Sequence, residues 1–346
     1  YLLRELLDQT SLRVVCLVRA EDDHAATLRL RVALRARGLS LSQLSERVQV
    51  LAADLARPRL GLSERGFQHL VRECDVIYHA AASVSLARGY ASVRGVNVLG
   101  AAELLRLAMA PRQKPVHHLS TLAVAFGEPD ASLLEQPVAL HAGLRDGYTQ
   151  SKWAAEALMH GARGRGLPVS IYRLGRVVGP ESGRDVNADD LVFRTLRVGL
   201  ALGTLPDLPV CEPWTPVERV AAAVVQLSRG TRPAPIYHLA PARLTRLSDV
   251  CAALCDQYAL SRCTLAEFCA ALRRAPDSLD KSVLGFFEAQ ADSDALTSVL
   301  EVRRDNLLRD LTDGERAFPE VEAALLRSYF AFCVESGLFP APPARR

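Results

Sequence analysis

The chain has 346 residues, of which 49% are apolar and 23% charged, with a formal net charge of +3. This is ordinary globular composition with ample material for a core, sized for one large domain or two modest ones. The two charge signs are mixed along the chain, and so small and scattered an excess excludes nucleic acid and a membrane surface as electrostatic partners.

Through the first half, apolar runs of strand length alternate with amphipathic stretches of helix length. A Leu-rich helix at 2–7 leads into a strand at Val14–Val18, a helix over 25–37 and a strand at Val48–Ala52. The Arg-studded 28–37 portion of that helix reads as a solvated face. A short helix at 67–72 follows, then a strand at 76–79 and a helix over 96–108. A strand at 116–120, a long helix over 150–163 and a strand at 169–172 complete the series. Strands this apolar without alternation suit a parallel sheet buried on both faces. Strand–helix alternation predicts an α/β, doubly wound sheet of the Rossmann type. After about residue 180 the rhythm changes. Helices at 192–202 and 217–228 flank a Pro-rich connection over 204–216, and a short strand lies at 235–238. Four helices are then expected at 247–258, 265–273, 283–292 and 315–335. The expected organisation is a dinucleotide-binding portion over 1–180, with 205–240 interleaved, and a smaller, mainly helical portion over 181–346. The first strand of such a sheet and its Gly-rich turn, which admits a pyrophosphate to a helix N-terminus, are expected upstream of Tyr1.

Eight cysteines (16, 74, 211, 251, 255, 263, 269 and 333) form no C-x-x-C pair and have no His at zinc-finger spacing, so no metal site is expected. Several lie in apolar runs and are expected to be reduced, structural thiols of a cytoplasmic protein. No apolar run approaches the roughly 20 residues of a membrane span.

The central chemical signal is Tyr148 and Lys152, whose four-residue spacing puts both on one helical face. A Tyr hydroxyl can protonate a carbonyl oxygen as hydride arrives at carbon, and a neighbouring ammonium would lower its pKa for that task. Upstream, the fourth strand ends in Ser120-Thr121. Ligands bind beyond the carboxyl ends of such strands, where the Thr121 hydroxyl can hold the same oxygen. Arg19 follows the Val14–Val18 strand, where an acidic residue would select NAD and an Arg accommodates the 2′-phosphate of NADPH; Arg29 can add a second guanidinium. Asp54, next to Leu55, follows the second strand and can accept from the adenine amino group or cap a turn. Ala80 and Ala81 leave room for a cofactor backbone. His79 reads as a packed histidine, and Asn97 as a bridge to the catalytic residues or a surface amide. His117 and His118 face opposite sides of their strand, which argues against joint metal ligation.

Together these residues resemble the extended short-chain dehydrogenases, and more narrowly the thioester reductase domains of non-ribosomal peptide and polyketide synthetases and carboxylic acid reductases. The matching stretches are 15–20, 27–30, 53–62, 76–82, 96–100, 118–122, 147–156, 172–179 and 214–218. The 54–62 and 148–156 segments are the specific ones; the resemblance is strong over about 1–240 and thin beyond. It implies that NADPH reduces an acyl or peptidyl thioester, held on the phosphopantetheine arm of an adjacent carrier domain, to an aldehyde, and in some members on to an alcohol. Thr121 and Tyr148 would stabilise the oxyanion, and Lys152 would hold the nicotinamide ribose. Arg19, Arg29, Asp54, Leu55, Ala80, Ala81, Asn97, Tyr148 and Lys152 would line the cofactor. The helical portion would shape the acyl channel, and the chain would be a monomeric domain of a larger synthetase. It departs from the family in three places: the Gly-rich turn, Ala80 where Asn is usual, and Leu174 where Pro is usual. Two other readings compete, a nucleotide-sugar epimerase or dehydratase and a non-catalytic dinucleotide sensor. Arg19 speaks against the first and Tyr148 against the second.

Overall fold

Four strands hydrogen-bond in parallel in the spatial order Ile77–His79, Val116–Thr121, Val169–Leu174, Ile236–Leu239. The arrangement comes from a computed structural model that describes residues 1–38, 46–84, 88–126, 132–231, 233–290, 301–312 and 318–343. A second parallel pair joins Val14–Val18 to Val48–Ala52, with Val14 opposite Val48. One core spans both blocks, since Val15, Leu17 and Leu51 pack against the cluster containing Ile77, Val116, Val169 and Ile171. Helices Gly100–Ala108 and Gly147–Gly164 cover one face through Leu104, Leu105, Ala155 and Met159. Helices Leu2–Gln9 and Val217–Ser228 cover the other, where Val220 and Val224 meet Tyr172 and Tyr237. This is the doubly wound α/β fold expected of the alternation. Its consequence for function is directional: every strand pair in the two blocks is parallel, and Arg19, Asp54, Ala80 and Thr121 all fall at carboxyl ends.

Burial separates the strands. Val169–Leu174 is buried at its first five positions, as an unalternated run requires, whereas Val14–Val18 is half-buried throughout and pairs along one edge. The long Arg-rich helix, Asp23–Arg35, buries only Ala26 and Leu34 and is solvated elsewhere along the Arg-bearing face.

Several expected elements are redrawn. The helix over 96–108 is instead Tyr90–Arg94, a wide π turn at Gly95–Leu99, and Gly100–Ala108. Gly100 sits where an added Cβ would lie 2.8 Å from the Leu55 Cβ, so only glycine lets the two segments approach. The long helix begins at Gly147 rather than 150, because the Asp146 carboxylate caps it by accepting from the Thr149 amide at 2.9 Å. The connection over 204–216 holds three short strands, Thr204–Pro206, Cys211–Glu212 and Trp214–Pro216, paired with residues far along the chain. The last helix starts at Ala323, not 315; Pro319 keeps the residue before it out of the helical region, and 313–317 lie outside the described residues. The helix expected over 283–292 runs Ser282–Gln290, with 291 and 292 outside the described residues. A short helix at Asp305–Asp310 was not anticipated.

The C-terminal helices build their own core around Trp214, Leu254, Phe268, Phe287, Tyr329 and Phe330. Cys251, Cys255, Cys269 and Cys333 are buried in it as free thiols, and burial pushes Cys251 and Cys333 up to about 12, far from reactive thiolates. Among the described residues no group of three or more His, Cys, Asp or Glu side chains is placed to hold a metal, and no helix is long and apolar enough to cross a membrane.

Candidate active site

The site is built on the first three turns of the Gly147–Gly164 helix. Tyr148, Lys152 and Glu156 repeat every four residues and form one stripe facing the sheet. The stripe's height is set by Gly147, packed so closely on the preceding segment that an added Cβ would lie 2.4 Å from the Arg88 carbonyl oxygen, the Gly89 carbonyl carbon and the Tyr90 amide nitrogen. Those are backbone atoms and cannot step aside. Gly147→Ala is therefore expected to lower stability by about 1–3 kcal/mol through overpacking. It should also reduce turnover per folded molecule, because the residue displaced next is Tyr148. Denaturant unfolding alongside kcat checks both, and unchanged values in the variant would refute this packing.

Tyr148 is mostly buried in the first helical turn, and Thr121, at the end of the Val116–Thr121 strand, has its hydroxyl near enough to the phenol to favour the ionised form slightly. Thr121 is itself fixed, because its Oγ1 accepts from the Ala123 amide at 3.2 Å. Burial, and then the Asp146 carboxylate, push the Tyr148 hydroxyl up to about 12, against a smaller downward pull from Thr121. This corrects the expectation that Lys152 would lower it. The Lys152 ammonium is committed elsewhere, donating to the Leu119 carbonyl oxygen at 2.6 Å with His118 Nε2 at 3.4 Å. The consequence is a phenol that stays protonated through the neutral range and so acts as a hydrogen-bond and proton donor.

Lys152 is buried, and burial lowers its pKa to about 8, partly offset by Glu156 one turn further on. Beneath it, His79 and His118 are opposite one another in the strand register, with tilted rings 4.9 Å apart. Burial and the Lys152 charge hold both imidazoles well below their usual range, so both are neutral at neutral pH. His117 faces the other side, stacked on Tyr78 with its Nδ1 2.9 Å from the Tyr172 hydroxyl.

Asn97, in the π turn, is almost fully buried. Its Oδ1 accepts from the Ser83 amide at 2.7 Å, and its Nδ2 donates to the Ser83 carbonyl at 3.1 Å and to Ser151 Oγ at 2.8 Å. Ser151 in turn donates to the Tyr148 carbonyl at 2.8 Å. One amide thus ties the segment following the third strand to the catalytic helix.

The remaining predicted positions lie along the carboxyl ends of the strands. Ala80 and Ala81 are exposed, with no side chain beyond Cβ to block a ligand backbone. Arg19 and Arg29 are exposed, and Arg29 folds back so that Nη1 donates to the Arg19 carbonyl at 2.7 Å, holding both residues at the strand end. Asp54 caps its own turn, with Oδ1 accepting from the Ala56 amide at 2.9 Å and Oδ2 3.4 Å from Arg57. Its backbone is held by three successive left-handed residues, Arg59, Leu60 and Gly61, with the Asp54 amide donating to the Leu60 carbonyl at 2.8 Å. Two of these are not glycine, a strain of order 1–2 kcal/mol each. It is offset by burying Leu60 completely and by the Arg59 amide donating to Glu103 at 2.8 Å. Leu55 packs on Gly100. An exposed small-residue strip, a cationic end and a buried Lys at the hydroxyl pair fit a dinucleotide.

Reasoning from sequence missed the members that act at a distance. Glu156 accepts from Arg173 at 2.8 and 3.1 Å, both side chains essentially unexposed, and Arg173 Nη1 lies 3.3 Å from His238 Nε2. The available signal was Glu156 standing four residues beyond Lys152; nothing local points to Arg173.

Comparison with known proteins agrees with this geometry. The NAD-binding family described as Male sterility protein matches residues 1–224. The isonitrile lipopeptide synthase of Streptomyces coeruleorubidus is 41% identical across the whole chain, and one subunit of the linear gramicidin synthase of Brevibacillus parabrevis is 36% identical over 82% of it. The chain spans only 24% and 6% of those two proteins. Among solved structures, the terminal R domain of the myxalamid polyketide–peptide synthetase pathway superposes with a TM-score of 0.92 at 33% identity, covering 99% of this chain and 89% of that one. The chain therefore belongs to the NAD-binding family described as Male sterility protein, and is similar in sequence and fold to the terminal R domain of a polyketide–peptide synthetase pathway.

Proposed function

We propose that the chain performs NADPH-dependent reductive release of an acyl or peptidyl thioester carried on the phosphopantetheine arm of an adjacent carrier domain, yielding an aldehyde or, where a second hydride follows, an alcohol. The observation that carries this reading is the Thr121–Tyr148 hydroxyl pair at a strand's carboxyl end, beside the buried Lys152. Bound NADPH would supply the hydride. The two hydroxyls bind and polarise the thioester carbonyl oxygen and stabilise the charge that develops on it, the largest single effect expected. Tyr148 gives its proton to that oxygen when an aldehyde is reduced to an alcohol. In the first reduction the carbonyl re-forms as the thiol leaves. Lys152 would hold the nicotinamide ribose, with Asn97 keeping the helix in place. Arg19 and Arg29 would take the 2′-phosphate, Asp54 and Leu55 the adenine end, and Ala80 and Ala81 the cofactor backbone. The helical residues 181–346 would shape the acyl and carrier-binding side. The setting would be a cytoplasmic synthetase of which this is a monomeric part. A nucleotide-sugar reading has no observation in its favour, since Arg19 stands where an acidic residue would bind NAD.

The test mixes the protein with NADPH and an acyl-pantetheine thioester, follows dinucleotide absorbance and identifies the product. Thioester-dependent oxidation giving aldehyde or alcohol is expected, whereas reduction of a free acid without ATP would sink the reading. Cofactor choice is tested separately. Arg19→Ala is expected to lower the NADPH-over-NADH ratio of kcat/KM by about 10–100-fold, the loss of one charge-assisted phosphate contact. An unchanged ratio would remove Arg19 from cofactor selection.

A further inference from the structure

Lys152 Nζ has two neighbours that could accept from it, the Leu119 carbonyl oxygen at 2.6 Å and His118 Nε2 at 3.4 Å. The backbone oxygen is there whatever residue occupies 119. The imidazole is a choice of side chain, and an awkward one for the core. His118 is fully buried, and its Nδ1 has no hydrogen-bond partner among the described residues. An imidazole whose Nε2 offers its lone pair to an ammonium must carry its proton on Nδ1, so a buried N–H is left unsatisfied. Leaving such a group unpaired costs of order 1–3 kcal/mol, which an apolar side chain of similar shape would avoid. Packing alone gives no reason for histidine here; the ammonium above it does.

We propose that His118 is a positioning residue for Lys152: its Nε2 lone pair, together with the Leu119 carbonyl oxygen, holds the ammonium in the orientation from which Lys152 serves the cofactor. The proposal deepens the reductase reading and rests on it for its kinetic consequence, but its structural consequence stands alone. The titratable groups around the ammonium are Glu156 and Tyr148 on its own helix and His118 and His79 on the strands beneath. Of these, Glu156 draws the Lys152 pKa up by its charge, against burial, while His118 Nε2 is placed to accept from the ammonium at 3.4 Å. Removing an acceptor that favours the charged form must lower that pKa further.

The chain makes this measurable, because its only lysines are Lys114, Lys152 and Lys281. With 13C-labelled lysine, three Cε resonances are followed against pH, and Lys152→Met assigns the one of interest. In the unmodified chain the Lys152 signal is expected to titrate near pH 8. In His118→Leu the midpoint should fall by roughly one pH unit, and in His118→Gln, whose amide oxygen can accept, it should return most of the way. In the thioester assay His118→Leu should lose about 10-fold in kcat with little change in the thioester KM, move the alkaline limb of the pH profile down, and be rescued by Gln. An unmoved Lys152 midpoint in a folded His118→Leu protein would overturn the proposal, as would identical behaviour of the Leu and Gln variants. Should the unmodified protein reduce no thioester, the reductase reading fails, while the resonance still decides whether His118 positions Lys152.

Discussion

Tyr148→Phe is expected to lower kcat for thioester reduction by about 10³-fold while leaving unfolding free energy within about 1 kcal/mol of the parent. The rate loss in thioester reduction comes from removing one of two donors to the developing oxyanion; where an aldehyde is reduced further, the proton donor to that oxygen is lost as well. Stability is spared because the ring keeps its packing and only the hydroxyl beside Thr121 is removed. Thr121→Val should cost about 10²-fold, since Tyr148 still serves the same oxygen. The double variant should fall short of the product of the two losses, because the hydroxyls act on one atom. The pH dependence follows from the direction of the Tyr148 shift. Its folded-state pKa is raised, so the reactive O–H form is fully present below pH 10 and is lost only as pH climbs toward about 12. No rise in activity between pH 6 and 9 should therefore trace to Tyr148. Steady-state kinetics with NADPH and an acyl-pantetheine thioester would decide this; near-parental turnover in Tyr148→Phe would remove the residue from the chemistry.

The second large effect concerns stability. Glu156→Gln is expected to destabilise the fold by about 3–5 kcal/mol, the usual result of leaving a buried charge without its counter-ion. Arg173 has no exposed surface, and its Nε and Nη2 both donate to Glu156, at 3.1 and 2.8 Å. The remaining guanidinium nitrogen lies 3.3 Å from the Leu134 carbonyl oxygen and 3.3 Å from His238 Nε2. That histidine is held neutral by burial and by Arg173, and cannot replace the lost charge. Replacing both partners with apolar residues, Glu156→Leu with Arg173→Met, should recover most of the loss, because no uncompensated charge then remains. Urea unfolding of the two single variants and the double variant gives the coupling energy. Equal destabilisation by single and double changes would mean that packing, not charge, is what matters there. The same carboxylate also supports the ammonium of Lys152 one turn before it, so Glu156→Gln should cost activity even where the protein remains folded.

Much of this molecule is determined by local sequence. The strands Val14–Val18 and Val48–Ala52 can be read to the residue from short, β-branched-rich apolar runs, although the structure leaves both only half-buried. The helix Leu247–Tyr258 can be read in the same way from its 3.6-residue period. The spacing of Tyr148 and Lys152 fixes their shared face without any tertiary information, and Thr121 at a strand end needs only the rule that parallel strands present their carboxyl ends together. Tertiary structure decided what depends on contacts between distant residues. The π turn at Gly95–Leu99 interrupts a stretch with helical periodicity, and it brings Asn97 onto Ser83 and Ser151, 14 and 54 residues away. The short strands within 204–216 exist only because Arg176–Val178, Thr245–Arg246 and Ser261–Cys263 lie beside them. The Tyr148 pKa moves opposite to the direction its neighbour in sequence suggested. Proximity along a helix sets which side chains share a face, but burial and the Leu119 carbonyl, brought in by the fold, decide how Lys152 spends its charge. Local periodicity is a property of consecutive residues and survives in the sequence. Desolvation and long-range pairing are properties of the assembled core, and exist only once it has formed.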